Sequence, residues 1–182
     1  MSMQKVSDKM LADTGTMPAW DGSALTGITG GGKVVQVVNT QDGEVATGTT
    51  TLPNDDSIPQ NTEGDEYMTL AITPTNTNNK LLITCEAYFA NTNSVNTMVI
   101  ALFQDSTAGA LASGWVATAH SASDRRDGTL VHYMTAGTTS STTFKIRIGC
   151  DGAGTTTFNG VSSGRQQGGV MASRLTIMEI AV

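Results

Sequence analysis

The side chains able to do chemistry fall into a few short stretches. Carboxylates pair at Asp55-Asp56 and gather again at Glu63, Asp65 and Glu66. Two carboxyls facing each other across a cleft can cleave glycosidic bonds, and hard cations such as calcium take oxygen ligands. A long β-helix, one scaffold that can mount such carboxylates, is not expected, because this chain is too short and carries no internal repeat. The Asp55-Asp56 stretch lacks the regular ligand spacing of a calcium-binding loop. It is read as a solvated acidic loop, with calcium as the alternative. His120 stands near Asp124 in a polar stretch and His132 on an expected strand, so the two do not form a base or ligand pair. No Gly-x-Ser-x-Gly nucleophile turn is present. Gly30-Gly31-Gly32-Lys33 opens a strand, whereas a phosphate loop opens a helix. Arg125-Arg126, flanked by Asp124 and Asp127, is locally balanced and reads as a solvated or inter-subunit ion-pair patch. Cys85 and Cys150 fall on inward strand positions and are expected to be small buried hydrophobes, without a disulfide framework or metal knuckle. No catalytic residue, metal ligand or cofactor is expected, and the chain is not expected to be an enzyme.

The scaffold follows from composition. The chain has 182 residues, 14% charged and 38% hydrophobic, with 20 Gly and abundant Thr, Ser and Asn. Such a mixture favours strands and tight turns over helices. A net charge of −6 argues against phosphate-backbone binding, so nucleic acid is not an expected partner. No apolar run resembles a signal peptide or reaches membrane-spanning length, so neither secretion nor membrane insertion is expected.

Residues 1–32 read as an anchor and linker. Met3, Val6 and Met10 are spaced three then four apart, and Leu11 widens the seam, which predicts a two-turn helix that needs a partner to be stable. Pro18, Gly22, Gly27 and Gly30-Gly31-Gly32 then block regular structure. Trp20 is poorly suited to a solvated linker and is expected to pack on a neighbouring chain or particle.

Residues 33–182 read as a β-domain. Val34–Val38 predicts a mostly buried first strand, and Glu44–Thr51 an exposed, Thr-rich one. Leu52–Asp65 is a loop. The clearest alternation is in Lys80–Ala90, with Leu81, Ile83, Cys85, Ala87 and Phe89 on one face. Strands are also expected over Tyr67–Thr73, Thr97–Gln104, Trp115–Ala119, Thr129–Thr135, Thr142–Cys150, Thr155–Phe158 and Ala172–Val182. Thr97–Gln104 is apolar on both faces, with Met98, Ile100 and Leu102 against Val99, Ala101 and Phe103. A sandwich core meets one face of a strand, so the second face is expected to be covered by a neighbouring subunit. The final strand, apolar on both faces, is expected to be central. The fold class is therefore all-β, a sandwich of the jelly-roll type.

Asp21-Gly22-Ser23-Ala24-Leu25-Thr26-Gly27-Ile28 resembles a linker of phage tail-fibre and other virion fibre proteins. Gly64–Pro74, Asn79–Ile83, Ala101–Asp105, Ala136–Gly149 and Ser173–Ile180 resemble, in order, their C-terminal head domain. The resemblance covers residues 21–182. It implies a homotrimer of jelly rolls of the tumour-necrosis-factor-like kind, built into a virion after synthesis in the host cytoplasm. Expected partners are its own copies, other tail or capsid proteins held through residues 1–32, and a host surface glycan or protein. Candidate host-contact loops carry Asp105, Trp115, Arg125, Arg126 and Arg165, with Trp115 able to stack on a sugar or to anchor an interface. A capsid decoration or head-fibre protein attached through its N-terminus is the alternative.

Overall fold

The structure, a computed structural model, describes residues 32–93, 97–116 and 124–182. The expected helix with Met3, Val6, Met10 and Leu11, the linker with Trp20, and His120 lie outside the described residues.

The described residues fold as strands, in chain order β1 (Val34–Asp42), β2 (Ala46–Gly48), β3 (Asp65–Ile72), β4 (Lys80–Asn91), β5 (Met98–Gln104), β6 (Ala112–Val116), β7 (Arg126–Thr135), β8 (Thr142–Cys150), β9 (Thr156–Phe158), β10 (Gly160–Val161), β11 (Gly164–Arg165) and β12 (Ser173–Ile180). The long strands pair antiparallel as nested couples: β1 with β12, β3 with β8, β4 with β7, and β5 with β6. First with last, second with second-last, and so inward, is a long hairpin rolled up on itself. That is the pairing of a jelly roll. Two sheets result. One runs β1-β12-β4-β7, and the other β3-β8-β5-β6.

Period-2 alternation fills the space between them. Leu81, Ile83, Cys85, Ala87 and Phe89 of β4, Leu175 and Ile177 of β12, Ile100 and Leu102 of β5, and Phe144, Ile146 and Ile148 of β8 form one buried cluster. Burial, with Glu86 beside it, pushes the Cys85 thiol up to about 12, so it stays protonated and inert. Cys150 is likewise buried and free of any disulfide. As expected, β12 is central, between β1 and β4.

Two expectations are corrected. The first strand is not mostly buried: Val34, Val35 and Val37 are exposed, because among the described residues β1 is an edge strand that pairs with β12 alone. The second face of β5 is not left for a neighbouring subunit. Val99, Ala101 and Phe103 pack under Leu52 and Ala110 of the same chain. The segment after β2 crosses β8 as a strap, held by the Leu52 N–H donating to the Cys150 carbonyl at 2.9 Å. Gly149 permits this approach, since a Cβ there would lie 2.8 Å from the Leu52 Cβ and 2.9 Å from the Thr50 carbonyl oxygen. The expected strand over Glu44–Thr51 shortens to Ala46–Gly48 for the same reason: the chain leaves the sheet to become the strap.

Buried polar groups repair the places where ladders break. β4 pairs with β12 up to Glu86 and with β9 from Phe89 onward. At the changeover the Tyr88 N–H donates to Ser173 Oγ at 2.9 Å, and the Tyr88 carbonyl accepts the Asn159 N–H at 2.8 Å. Asn159 Nδ2 donates to the carbonyls of Asp42 at 2.7 Å and Glu44 at 3.1 Å, where β1 gives way to β2. Backbone groups buried at such a break need partners, and these two side chains supply them.

The opposite end is closed by Glu179. It continues the inward parity of Leu175 and Ile177 and is fully buried. Burial alone would raise its pKa. Hydrogen bonds from Gln36 Nε2 at 2.5 Å, Asn79 Nδ2 at 2.6 Å, and both Thr75 Oγ1 and the Thr75 N–H at 2.8 Å together outweigh that and hold the carboxyl down to about 2. One carboxylate thus ties β1 and the β3–β4 turn to β12.

Candidate functional site

The outward positions of the β1-β12-β4-β7 sheet line up in register. Val37 faces Met178, Met178 faces Leu82, and Leu82 faces Tyr133. This row crosses all four strands and is apolar from edge to edge. Val34 and Ile180 extend it on one side, and Val131 on the other, in the next rows. Val37 is 53% exposed, Tyr133 57% and Val131 61%. The face grades along the strands. Two rows from Leu82, Gln41, Arg174, Glu86 and Thr129 stand opposite one another, with Arg174 Nε 3.3 Å from a Glu86 carboxylate oxygen. Tyr88 Oη donates to Glu86 at 2.7 Å. The surface therefore has one apolar row toward the Lys33 end, flanked by rows that mix Val34, Ile180 and Val131 with Lys80, Thr135, Asn39, Thr176 and Thr84, and a hydrogen-bonded, charged half at the other end. Scattered single apolar residues are normal on a surface, but a contiguous patch with a polar border is the mark of an interaction surface.

The outer face of β3-β8-β5-β6 differs. Its β3–β8 half is polar: Glu66 lies 3.2 Å from Lys145 Nζ and 3.8 Å from Arg147 Nη1. Its β5 half lies under the strap. Beside the strap, a groove runs between residues 53–59 and β6. One hollow of about 420 Å³ is lined by Asp55, Asp56, Ser57, Ile58, Pro59 and residues 110–113. A second, of about 160 Å³, shares Asp55, Ser57, Pro59 and Ser113 and adds Asn54 and Trp115. Trp115 is 69% exposed.

The structure separates the candidate host-contact residues. Asp105 lies at the end where Lys33 and Ala181 meet, and its carboxylate is occupied within the fold. It accepts from Thr142 Oγ1 and the Thr143 N–H, both at 2.8 Å, tying the end of β5 to the start of β8. Arg125 and Arg165 lie at the opposite end. Arg125 Nη2 donates to Gln166 Oε1 at 2.9 Å, and Arg165 Nη1 stands 3.6 Å from Glu44. Arg126 opens β7 and pairs with Asp124 at 3.2 Å. Trp115 lies on β6, the edge strand of the other sheet.

Asp55 accepts from the Ser57 Oγ and N–H, which lower its pKa. Among the described residues, no three Asp, Glu, His or Cys side chains converge as a metal site. Sequence alone does not bring Trp115 to the Asp55-Asp56 loop, and it gives Glu179 no role. A carboxylate on core parity beside Leu175 and Ile177 was the available signal for Glu179.

No protein-family description matches the chain, and no curated protein matches it. Among solved structures, it is similar to Eiger TNF from S. frugiperda, at 7% identity, over 80% of this chain and 93% of that one, with a TM-score of 0.45. It is similar to a chain of infectious bursal disease virus, Gx strain, at 11% identity, over 81% of this chain and 36% of that one, with a TM-score of 0.38. It is also similar to the enzymatically active domain of bacteriophage CBA120 tailspike protein 4, at 15% identity, over 71% of this chain and 20% of that one, with a TM-score of 0.29. The jelly-roll assignment rests on the strand pairing, independently of these likenesses.

Proposed function

We propose that the chain is a non-enzymatic structural protein of a bacteriophage particle. In this reading it is a homotrimeric fibre or spike head, mounted through residues 1–32, that contacts the host surface. The observation that carries the reading is the apolar row Val37–Met178–Leu82–Tyr133, exposed at Val37 and Tyr133 and half-buried at Met178 and Leu82. A jelly roll that stood alone would gain by making that row polar. Around a threefold axis, the row of each copy buries against the next, and closed symmetry leaves no patch over. The expected apolar seam of Met3, Val6, Met10 and Leu11 would draw three chains together in the same way. The segment Asp21–Ile28 supplies the resemblance to virion fibre proteins.

With Lys33 and Ala181 at one end, the opposite end, carrying Arg125, Arg165 and Gln166, is free to face outward. Three copies of a weak contact there would bind through effective concentration. The test is competition. Purified protein added to host cells before phage is expected to reduce adsorption in a dose-dependent way. Unchanged adsorption at saturating protein would remove host contact from the reading. Antibody against residues 33–182, imaged on particles, would then locate the protein on tail or capsid.

A further inference from the structure

We propose that the groove between residues 53–59 and β6 is a saccharide site, taking a neutral or amino-bearing hexose against the face of Trp115. This adds to the host-contact reading a second contact, on β6, and rests on that reading.

The indole is the starting point. Trp115 lies on the outward parity of β6, opposite Val99, yet the strap that covers Val99 leaves the ring 69% exposed. A large aromatic side chain held on a strand and left open is a ready stacking platform, and the C–H face of a pyranose is a fitting partner. The two hollows share four residues and together fall within the roughly 300–1,000 Å³ of small-molecule sites.

The polar lining narrows the ligand. Asn54, Asp55, Asp56, Ser57 and Ser113 all stand exposed along the groove, and among the described residues no Lys or Arg lines it. Carboxylates accept paired hydrogen bonds from neighbouring hydroxyls, and they attract an ammonium group. They repel a uronate or a phosphate, which would find no cation here. Asp55 and Asp56 are adjacent on one turn, so they do not flank a bond from opposite sides as hydrolysis requires. The groove is fitted for binding.

It is also preformed. Ser57 locks the turn through Asp55, Gln60 Nε2 donates to the Ile58 carbonyl at 2.6 Å, and the Ala110 N–H donates to the Pro59 carbonyl at 2.9 Å. Leu52 pins the strap from below. A ligand therefore meets a site that does not have to be ordered on binding.

The experiment uses the full chain carrying Trp20→Phe, which leaves Trp115 as its single indole. Its emission is followed while hexamers of glucose, N-acetylglucosamine and glucosamine, and separately polygalacturonate, are added. A saturable change with at least one of the three hexamers and none with polygalacturonate is expected. By calorimetry, Asp56→Asn should weaken that binding about tenfold, and Trp115→Ala should abolish it. No saturable change with any hexamer, or a stronger response to polygalacturonate, overturns the proposal. So does a blue-shifted, buried emission in the assembled protein that turns red in Leu82→Asp, because a second copy would then fill the groove. If Trp115→Ala still blocks adsorption as well as the parent, the groove fails while host contact stands. If the parent binds a hexamer but does not block adsorption, the groove stands and host contact fails.

Discussion

The two outer faces of this sandwich begin with the same problem and resolve it differently. Each carries apolar residues that its own core cannot hide. On β5 they are Val99, Ala101 and Phe103, and the chain folds its strap over them, with Leu52 as the plug. On β1-β12-β4-β7 they are Val37, Met178, Leu82 and Tyr133, and no segment of the described chain covers them. The lesson is that apolar residues on both faces of a strand do not by themselves identify an interface. Their meaning depends on whether the chain spends a loop on them. Where it does, the residues belong to the monomer's stability. Where it does not, we propose that they serve association.

This contrast can be broken by substitution. The largest effect is expected at the strap: Leu52→Ala leaves a void over β5 and should cost about 2–5 kcal/mol of folding stability, read as a lower denaturant midpoint. On the open face, Leu82→Asp should leave the folded protomer's spectrum intact and weaken association by at least about 2 kcal/mol, read by sedimentation across a dilution series. If Leu82→Asp unfolded the chain, or Leu52→Ala dissociated it without loss of stability, the two faces would have exchanged roles.

A smaller effect comes from the inner side of the open sheet. The Glu179 carboxyl is held at about 2 in the fold, below its ordinary 4.5. Its contribution to stability is therefore fully present above pH 4.5 and is lost as pH falls toward 2. Denaturant midpoints measured from pH 7 to 2.5 should show this loss, and Glu179→Gln should flatten it while lowering stability at neutral pH. The smallest effect is expected at Trp115→Ala. With its ring largely in solvent, stability should stay within about 0.5 kcal/mol of the parent in thermal melts.

Much of this architecture was legible in the residues. Leu81 to Phe89 and Phe144 to Cys150 alternate cleanly because each strand has one wet face and one dry one, so parity and strand assignments followed together. The central place of β12 was legible because Leu175 and Ile177 oppose Met178 and Ile180. The cover on β5 was not, because it depends on one leucine between Thr51 and Pro53 in an otherwise polar loop, and nothing local says where that loop lies. The valines of β1 misled for a related reason: hydrophobicity reports that a face will be covered, without reporting whether the chain itself or another chain covers it. The groove was hidden because its walls, residues 53–59 and 110–115, are far apart in sequence and are joined only by the strap's path.

The central claim is that the open row is covered by further copies of this chain. Sedimentation equilibrium of the full chain at sub-micromolar concentration tests it most directly. A folded species of three times 18.9 kDa is predicted, and a well-folded species of 18.9 kDa that persists on concentration would contradict it.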